Sequence, residues 1–335
     1  MKRNIFKLVF LLLLIVGTVL IIRQQQSLPY RTSEGKIFGT YFHITYQADR
    51  DLSGEIGKVL QQVDAALSMF NQESIVAKIN RNVPTKPNEM FLRVFELGQH
   101  ISADTDGAFD TTVAPLVNAW GFGFKNDTPP TEQAIDSLRQ LVGYKKVRLH
   151  LGKIEKADPR MMLDFSAIAK GYGVDCVAAL LRKEGIKNFM VEIGGEVVAS
   201  GLNSERLPWR IGVIKPIDNA LRQQNELQTV LNVTDKAMAT SGNYRNFYYR
   251  GGKKYAHTID PLTGRPVQHS LLSATVLAND CATADAYATA FMVMGIEKAK
   301  AVLERHPELM AYFIYADANG NNAIWHSPNL PLPEE

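Results

Sequence analysis

Apolar residues recur every three to four positions in two long stretches near the start of the chain, residues 52–71 and 90–104. This spacing puts the apolar side chains on one face of a helix, so we predict two helices with one buried face each. In residues 36–46, apolar and polar positions alternate instead, with many β-branched and aromatic types. A period of two predicts a strand there.

The second half of the chain contains short apolar segments and one alanine-rich stretch. Strands are predicted at residues 189–193, 228–233, 270–277 and 309–315. The alanine-rich residues 279–295 favour a helix, which the glycine at position 295 is expected to end. Because helical and strand signals alternate irregularly, we expect an α+β fold with a mixed, largely antiparallel sheet and helices on its outer faces.

The N-terminal segment has a different pattern, an uninterrupted apolar run. Residues 8–22 carry no charge, and Lys2, Arg3 and Lys7 precede them. A run of this length is at the short limit of a membrane span. We predict an uncleaved signal anchor at residues 1–23, with its basic flank in the cytoplasm. The alternatives are a cleaved signal peptide, for which residues 21–26 offer a poor cut site, and a buried N-terminal helix.

This anchor would leave the rest of the chain outside the cytoplasm. Residues 24–35 are polar and are predicted to form a tether. Residues 36–327 are long enough for one large domain or two closely packed lobes, and no internal repeat divides them. Residues 328–335 contain three prolines and are predicted to be a flexible tail.

Composition limits the classes of function. The chain has 335 residues, 46% of them hydrophobic and 21% charged, which is ordinary for a globular protein with a large core. Its net charge is only +3 and no dense lysine and arginine stripe is present, so nucleic-acid binding is not expected. The two cysteines, Cys176 and Cys281, lack the spacing of a metal site. Whether they pair is left open by the sequence.

The stretch AHTIDPLTGRPV, residues 256–267, combines turn-forming residues with ionisable side chains. Asp260-Pro261 and Thr263-Gly264 predict an irregular turn, since proline fixes its φ and glycine accepts a positive φ. His257 lies in this loop and can exchange a proton near neutral pH, which makes it a candidate catalytic base. A surface hairpin with a solvated histidine is the alternative.

The stretch DFSAIAKGYGVD, residues 164–175, predicts a strand that ends at Asp164, a turn of small residues and then a helix. Free N–H groups at a helix N-terminus favour an anion such as phosphate, and Lys170 adds a mobile positive charge. The glycine spacing does not match a Walker-type loop. A strand-to-helix connection without a ligand is the alternative.

Two further sets of residues suit a ligand. Trp120-Gly121-Phe122-Gly123 puts aromatic side chains on a flexible backbone, which suits either a flat ligand or a loop folded over the core. Asp285 and Thr289 are four residues apart and therefore share one helix face. A carboxylate and a hydroxyl are hard oxygen ligands that suit Mg²⁺, although such a pair is also common on exposed helices.

These blocks, taken jointly and in order, closely resemble the ApbE family of FAD:protein FMN transferases. The resemblance extends over roughly residues 37–315. It is carried by residues 107–110 with 120–123, residues 164–173, residues 240–242, and residues 257–264 followed by 284–286 and Thr289.

The resemblance implies a two-lobed, T-fold-like enzyme that transfers FMN from FAD to a threonine hydroxyl of an acceptor protein and releases AMP. It implies FAD as the substrate, Mg²⁺ as the cofactor and a subunit of a membrane redox complex as the acceptor. It also implies a catalytic domain on the periplasmic face of the inner membrane.

The same resemblance implies roles for individual residues. His257 matches the catalytic histidine, and Mg²⁺ would be held by Asp285, Thr289 and the backbone carbonyl of Ala167. Independently of the resemblance, the predicted helix start places Lys170 near the phosphates of FAD. Further contacts with FAD would come from Phe38, Phe70, Ala108, Phe109, Asp110, Asp164 and Ile259.

The chain departs from the family pattern in several places. No lipid-attachment cysteine follows the apolar run, Phe38 stands where methionine is frequent, and Glu192 and Glu196 flank a Gly-Gly pair where Asn and Asp are expected. The chain also lacks the Asp-x-x-Thr type of segment that the family modifies, so it is not expected to modify itself. Two other functions are open: an FAD pyrophosphatase that yields FMN and AMP, and a membrane-tethered flavin-binding protein without turnover.

Overall fold

An eight-stranded antiparallel sheet is the centre of the fold. The computed structural model describes residues 2–123, 129–216, 226–243, 247–250 and 253–332, without the side chains of residues 2–6, 20–27, 247–250 and 253–255. In order across the sheet, the strands are β1 (Tyr30–Ile37), β2 (Thr40–Gln47), β5 (Phe189–Ile193), β6 (Glu196–Ser200), β9 (Lys236–Gly242), β14 (Leu271–Ala278), β15 (Met310–Ala316) and β16 (Asn322–His326). All neighbouring strands in this sheet run antiparallel.

The helices and four small hairpins complete the described fold. The helices are α1 (Lys2–Ser27), α2 (Ser53–Leu67), α3 (Ile75–Asn80), α4 (Glu89–Asp104), α5 (Ala114–Ala119), α6 (Glu132–Arg139), α7 (Ala169–Lys183), α8 (Cys281–Met294) and α9 (Ile296–Arg305). The hairpins pair β3 (Val147–His150) with β4 (Lys153–Lys156), β7 (Arg210–Ile214) with β8 (Leu227–Asn232), β10 (Phe247–Arg250) with β11 (Lys253–Ala256), and β12 (Ile259–Asp260) with β13 (Arg265–Pro266). The predicted α+β fold with a largely antiparallel sheet is confirmed.

The two faces of the sheet have different covers, as the alternation along each strand requires. On β14, Val276 packs in the apolar cluster that contains α4 and α8, whereas Leu277 packs in the cluster that contains the β7–β8 hairpin. Phe313 and Ile314 of β15 divide in the same way. The helices α2 and α7 cover β2 and β5 with a further cluster. The helices α7 and α8 therefore belong to the helical layer that covers the eight-stranded sheet.

The helices predicted at residues 52–71, 90–104 and 279–295 are confirmed as α2, α4 and α8. Gly295 ends α8 with a φ of 76°. The short helices α3 and α5 were not predicted, since six residues are too few to display a helical period. No strand forms at residues 162–164; instead the Asp164 N–H donates to the Thr111 carbonyl at 2.7 Å.

The first predicted strand is in fact a hairpin. Residues 36–46 contain the turn Phe38-Gly39, with φ values of 51° and 75°, between β1 and β2. Strand β1 starts at Tyr30, within the stretch predicted to be a tether. Because β1 is an edge strand that pairs only with β2, polar side chains such as Glu34 stay exposed and conceal its period.

The predicted tail also differs from the structure. Leu330 is buried beside the β7–β8 hairpin, and the Asn329 amide donates to the carbonyls of Pro307 and Leu309. Leu330 and Asn329 therefore attach this part of the predicted tail to the domain, although the residues around Leu330 are exposed. Both cysteines are reduced, Cys176 partly buried and Cys281 fully buried.

Within the described part of the chain, no helix has the length and apolarity needed to cross a membrane. The anchor predicted at residues 1–23 lies partly outside that part, because the side chains of α1 are described only for residues 7–19.

Helices α7 and α8 lie in direct backbone contact. A Cβ atom at Gly171 would be only 2.3 Å from the carbonyl oxygen of Cys281. The Gly171 N–H donates to Oδ2 of Asp285 at 3.1 Å. The missing side chain at position 171 therefore sets how closely α8 approaches α7.

Replacing Gly171 by alanine should lower the free energy of unfolding by about 1–3 kcal/mol, because backbone atoms of α8 cannot yield as a flexible side chain would. Urea denaturation measures this change. Gly57 of α2 has no heavy atom within 4 Å of a built Cβ. Its replacement by alanine should raise stability by about 0.5–1 kcal/mol, since glycine weakens a helix interior. Similar effects at the two positions would contradict the close contact between α7 and α8.

A cluster of ionisable side chains joins α8 to α4 and α9. The Tyr287 hydroxyl donates to Oδ2 of Asp104 at 2.9 Å, and Nε2 of His306 lies 3.1 Å from Oδ1 of the same carboxylate. Nδ1 of His306 lies 2.9 Å from Oε1 of Glu308. Burial lowers the pKa of His306, but the hydrogen bonds to Asp104 and Glu308 outweigh it and raise the pKa above 6.5.

This raised pKa predicts a pH-dependent contribution to stability. The folded state favours protonated His306, so the contribution is complete below pH 6.5 and is lost as the pH rises through the folded pKa. The melting temperature of the wild type should therefore exceed that of His306→Gln by more at pH 5.5 than at pH 8.5. An equal difference at both pH values would show that the histidine is not charged in the cluster.

Candidate functional site

A cleft of about 420 Å³ lies where α7, α8, β9 and the loop at residues 256–267 meet. Its lining includes these residues predicted for the site: Phe70, Ala108, Phe109, Asp110, Asp164, Ala167, Lys170, His257, Ile259, Asp285 and Thr289. The fold thus brings together side chains that are up to about 220 positions apart along the chain. Phe38 is not part of the lining.

The polar end of the cleft is built around Lys170, at the start of α7. Its ammonium donates to Oε1 of Glu196 at 2.9 Å and lies 3.7 Å from Oδ1 of Asp285. Burial lowers the pKa of Lys170, but the Asp285 and Glu196 carboxylates outweigh that effect and keep the pKa above its ordinary value. The side chain is therefore a permanent cation held by two carboxylates, rather than the mobile charge expected from the sequence.

Glu196 lies at the first position of β6 and is only 3% exposed. Burial raises the pKa of its carboxyl, and the charge of Lys170 opposes that rise. Within the described residues, its second oxygen, Oε2, has no hydrogen-bond partner. Glu196 therefore presents an acceptor atom at the wall of the cleft.

Asp285 is 2% exposed and has its two oxygens in different environments. Oδ2 accepts the hydrogen bond from the Gly171 N–H, whereas Oδ1 faces Lys170. One helical turn further along α8, the Thr289 hydroxyl lies 3.1 Å from the Ser241 hydroxyl of β9. Together with Ala167, which lines the same cleft, these residues supply a set of oxygen atoms that could act as metal ligands.

This donor set fits Mg²⁺ in its chemistry. A carboxylate, a hydroxyl and a backbone carbonyl are hard oxygen ligands, and Mg²⁺ in proteins commonly takes few protein ligands and completes its shell with phosphate or water. The residues described here contain no group of three or more His, Cys, Asp or Glu side chains that could hold a metal alone. The site therefore fits a Mg²⁺ ion whose remaining ligands come from a phosphate-bearing substrate.

The loop at residues 256–267 also lines the cleft, through residues 257–259 and Pro261. Asp260 builds its turn, because Oδ1 accepts from the Leu262 N–H at 2.8 Å and Oδ2 accepts from the Thr263 hydroxyl at 3.0 Å. Gly264 adopts a φ of 73° and closes the β12–β13 hairpin. His257 lies just before this turn and lines the cleft. Its ring meets that of Phe122 edge to face, with centroids 6.4 Å apart.

The run Trp120-Gly121-Phe122-Gly123 divides between core and cleft. Trp120 is 7% exposed, and its indole N–H donates to the Gly264 carbonyl at 2.8 Å. It packs with Ile259 in a small apolar cluster. Phe122 instead lines the cleft. Phe122 therefore adds an aromatic side chain to the cleft, whereas Trp120 attaches the His257 loop to this segment.

Two predicted aspartates of the cleft are engaged with the backbone. Oδ1 of Asp110 accepts from the N–H and hydroxyl of Thr112, and Oδ2 accepts from the Tyr144 N–H. Asp164 accepts from the Ser166 N–H at 2.8 Å. Burial raises the pKa of both carboxyls, against these hydrogen bonds. Both residues therefore shape the loops of the cleft.

Phe70 and Phe38, which were both predicted to contact FAD, lie in different places. Phe70 is 58% exposed and lines the cleft at its edge. Phe38 occupies the β1–β2 turn, and its ring fills the space where a side chain at Gly173 would be, 2.7 Å from a built Cβ. Phe38 thus packs on α7, and a contact between Phe38 and FAD stays a prediction.

Glu196 and Ser241 are site residues that were not predicted from the sequence. Both have a local signal: Glu196 directly follows Gly194-Gly195, and Ser241 is the centre of the Thr-Ser-Gly block at residues 240–242. Neither signal identifies a partner. Lys170 and Glu196 are 26 positions apart, and Ser241 and Thr289 are 48 apart.

Comparison with known proteins identifies the family. The family model described as "ApbE family" matches residues 38–313. An FAD:protein FMN transferase of Vibrio cholerae is 38% identical over 289 residues, which cover 82% of this chain and 85% of the relative. An FAD:protein FMN transferase of Escherichia coli K12 is 35% identical over 311 residues, which cover 89% and 87% respectively.

A solved structure agrees with these sequence matches. The flavin transferase ApbE from Vibrio cholerae superposes with a TM-score of 0.81 at 35% identity, over 90% of this chain and 98% of that chain. The chain is therefore a member of the ApbE family.

Proposed function

We propose that this protein is an FAD:protein FMN transferase, which moves FMN from FAD to a threonine hydroxyl of an acceptor protein and releases AMP. The observation that carries the proposal is one cleft that is lined by His257 together with the oxygen-bearing side chains of Asp285 and Thr289. Phe109 and Phe122 give the same cleft an aromatic lining that suits a flavin ring. The names of the relatives from Vibrio cholerae and Escherichia coli support this activity.

The reaction requires an attack by a hydroxyl oxygen on the phosphorus of the FMN half of FAD. A new phosphorus–oxygen bond forms, the pyrophosphate bond breaks, and the bridging oxygen leaves with AMP. The attacking hydroxyl is a poor nucleophile while it keeps its proton. We assign His257 to accept that proton, since a neutral imidazole is a suitable base near neutral pH.

The polar end of the cleft prepares the site for phosphate. The Lys170 ammonium lies beside both the Glu196 and the Asp285 carboxylates and lowers the cost of burying their charges. We propose that Asp285, Thr289 and the Ala167 carbonyl hold Mg²⁺, which when bound neutralises the charge of the pyrophosphate oxygens. Apolar side chains such as Ile259 exclude water, which would otherwise compete with the acceptor hydroxyl.

We also propose a membrane location. The apolar run at residues 8–22 with its basic flank supports an N-terminal anchor in the inner membrane, with the catalytic domain on the periplasmic face. An acceptor that is a subunit of a membrane redox complex would then be near the site. Fractionation of cells that express the full chain or residues 24–335 tests the anchor: recovery of the full chain in the soluble fraction would contradict it.

His257→Ala should lower the rate of flavin transfer by about 10²–10⁴-fold, the usual contribution of a positioned base. Fluorescence of covalently bound flavin on the acceptor measures the rate, and the binding of FAD should change only slightly. His43→Ala is the control, since His43 lies on β2 with an exposed partner, Glu34, and does not line the cleft. Undiminished transfer by His257→Ala would assign the base to another residue.

The release of AMP distinguishes the proposed function from its two rivals. With FAD and Mg²⁺ present, a transferase should release AMP only when the acceptor is added, in equal amount to the flavin attached. A threonine-to-valine change in the acceptor should abolish both. AMP release without acceptor would indicate an FAD pyrophosphatase. Intact FAD after long incubation with acceptor would indicate a flavin-binding protein without turnover.

A further inference from the structure

Asp175 of α7 lies at the N-terminus of α8. Its Oδ1 accepts from the Cys281 N–H at 2.8 Å, and its Oδ2 accepts from the Ala282 N–H at 2.9 Å. The first N–H groups of a helix have no partner within the helix and must find one elsewhere. A single carboxylate therefore satisfies two of them and also faces the positive end of the helix dipole.

The remaining free N–H groups of α8 are satisfied by a different residue. Oδ1 of Asp280 accepts from the Thr283 N–H at 2.9 Å, and the Asp280 carbonyl accepts from the Ala284 N–H at 3.3 Å. Asp280 belongs to the segment that enters α8, so it stabilises the helix without attaching it to a neighbour. Asp175 belongs to another helix and therefore joins two elements.

Hydrogen bonds join α7 to α8 at two levels, which are one helical turn apart. Gly171 and Asp175 are four positions apart on α7, and Cys281 and Asp285 are four positions apart on α8. The Gly171 N–H binds Asp285, and Asp175 binds the Cys281 N–H. Two such points fix both the distance and the axial position of α8 on α7, because a slide along the axis would break both pairs.

We infer that Asp175 is a positioning residue for the polar end of the cleft: it holds α8 in the axial position that brings Asp285 to Lys170 and Thr289 to Ser241. Asp175 does not line the cleft, so it acts through α8. The role of this position in catalysis rests on the proposed function, whereas its role in placing Asp285 does not.

The chemistry of the contact makes asparagine an informative substitute. Both oxygens of Asp175 accept hydrogen bonds from α8. An amide keeps one acceptor and turns an N–H₂ donor toward another N–H donor, so one of the two bonds is replaced by a repulsive contact. The side-chain volume is almost unchanged, and α8 is expected to shift away from α7 at this end.

Asp280→Ala is a matched control. It removes a cap from the same helix terminus and should lower the melting temperature, as the loss of a cap does. It leaves the contact between α7 and α8 in place. Any effect of Asp175→Asn that merely follows from a weaker α8 should also occur in Asp280→Ala.

The metal-free crystal structures of the two variants give the first test. In Asp175→Asn, the hydrogen bond from the Gly171 N–H to Asp285, now 3.1 Å, should be broken. In Asp280→Ala it should be retained. An unchanged position of Asp285 in Asp175→Asn would overturn the inference, whatever the activity of the protein.

The Mg²⁺ requirement of the full-length protein gives the second test. Burial and the charge of Asp280 raise the pKa of Asp175, whereas the α8 N–H donors and Arg182 lower it, and the resulting pKa is about 7. The measurements should therefore be made at pH 8. Asp175→Asn should raise the Mg²⁺ concentration for half-maximal transfer about tenfold or more, as changes behind a metal ligand do, with little effect on FAD affinity. Asp280→Ala should leave this concentration unchanged.

The outcomes separate the inference from the proposed function. An equal rise in the Mg²⁺ requirement in both variants, or no rise in Asp175→Asn, would overturn the positioning role. Partial recovery in Asp175→Glu, which restores two acceptors, would support it. If the wild type transfers no flavin to any acceptor, the proposed function fails, and the crystal structures alone then decide whether Asp175 places Asp285.

Discussion

The hydrogen bond from the Gly171 N–H to the Asp285 carboxylate joins the two helices on which the polar end of the cleft depends. Asp285 is almost fully buried, and a buried carboxylate is tolerated only when donors and a counter-charge surround it. The N–H comes from the first turn of α7 and the counter-charge from Lys170, the residue just before Gly171. One helix start thus supplies both requirements, while the absence of a side chain at Gly171 allows the approach.

Much of the fold follows from patterns that are visible in the sequence. The helices α2 and α4 were predicted because their apolar positions repeat over several turns, and α8 because its alanine-rich sequence favours a helix. Strand β1 was missed because an edge strand exposes polar side chains, and α3 and α5 because they are short. Local patterns reveal an element when that element buries one face over a sufficient length. They do not reveal an element that fails either of these two conditions.

The candidate site was foreseen as a set of residue types and not as a set of contacts. His257, Asp285 and Thr289 line one cleft with Asp164 and Phe109, and their roles toward FAD and Mg²⁺ stay predictions. The pairing of Lys170 with Glu196 was not predicted, because a buried ion pair depends on how the helix α7 and the strand β6 come together. The same holds for Trp120: its run of aromatic residues and glycines suited either a flat ligand or a loop folded over the core, and its indole N–H donates to the Gly264 carbonyl. Chemistry-bearing residues are readable from sequence, but their partners require the fold.

That indole hydrogen bond connects two loops that are 144 residues apart in the chain. The segment around Phe122 and the turn after His257 are therefore held together in the fold, although they are far apart in the sequence. A change in the length of either loop would have to be matched in the other to keep both side chains in the cleft. Among related sequences, the two loops are thus expected to change together. If one loop alone were exchanged between two relatives, its new length would rarely match the other loop.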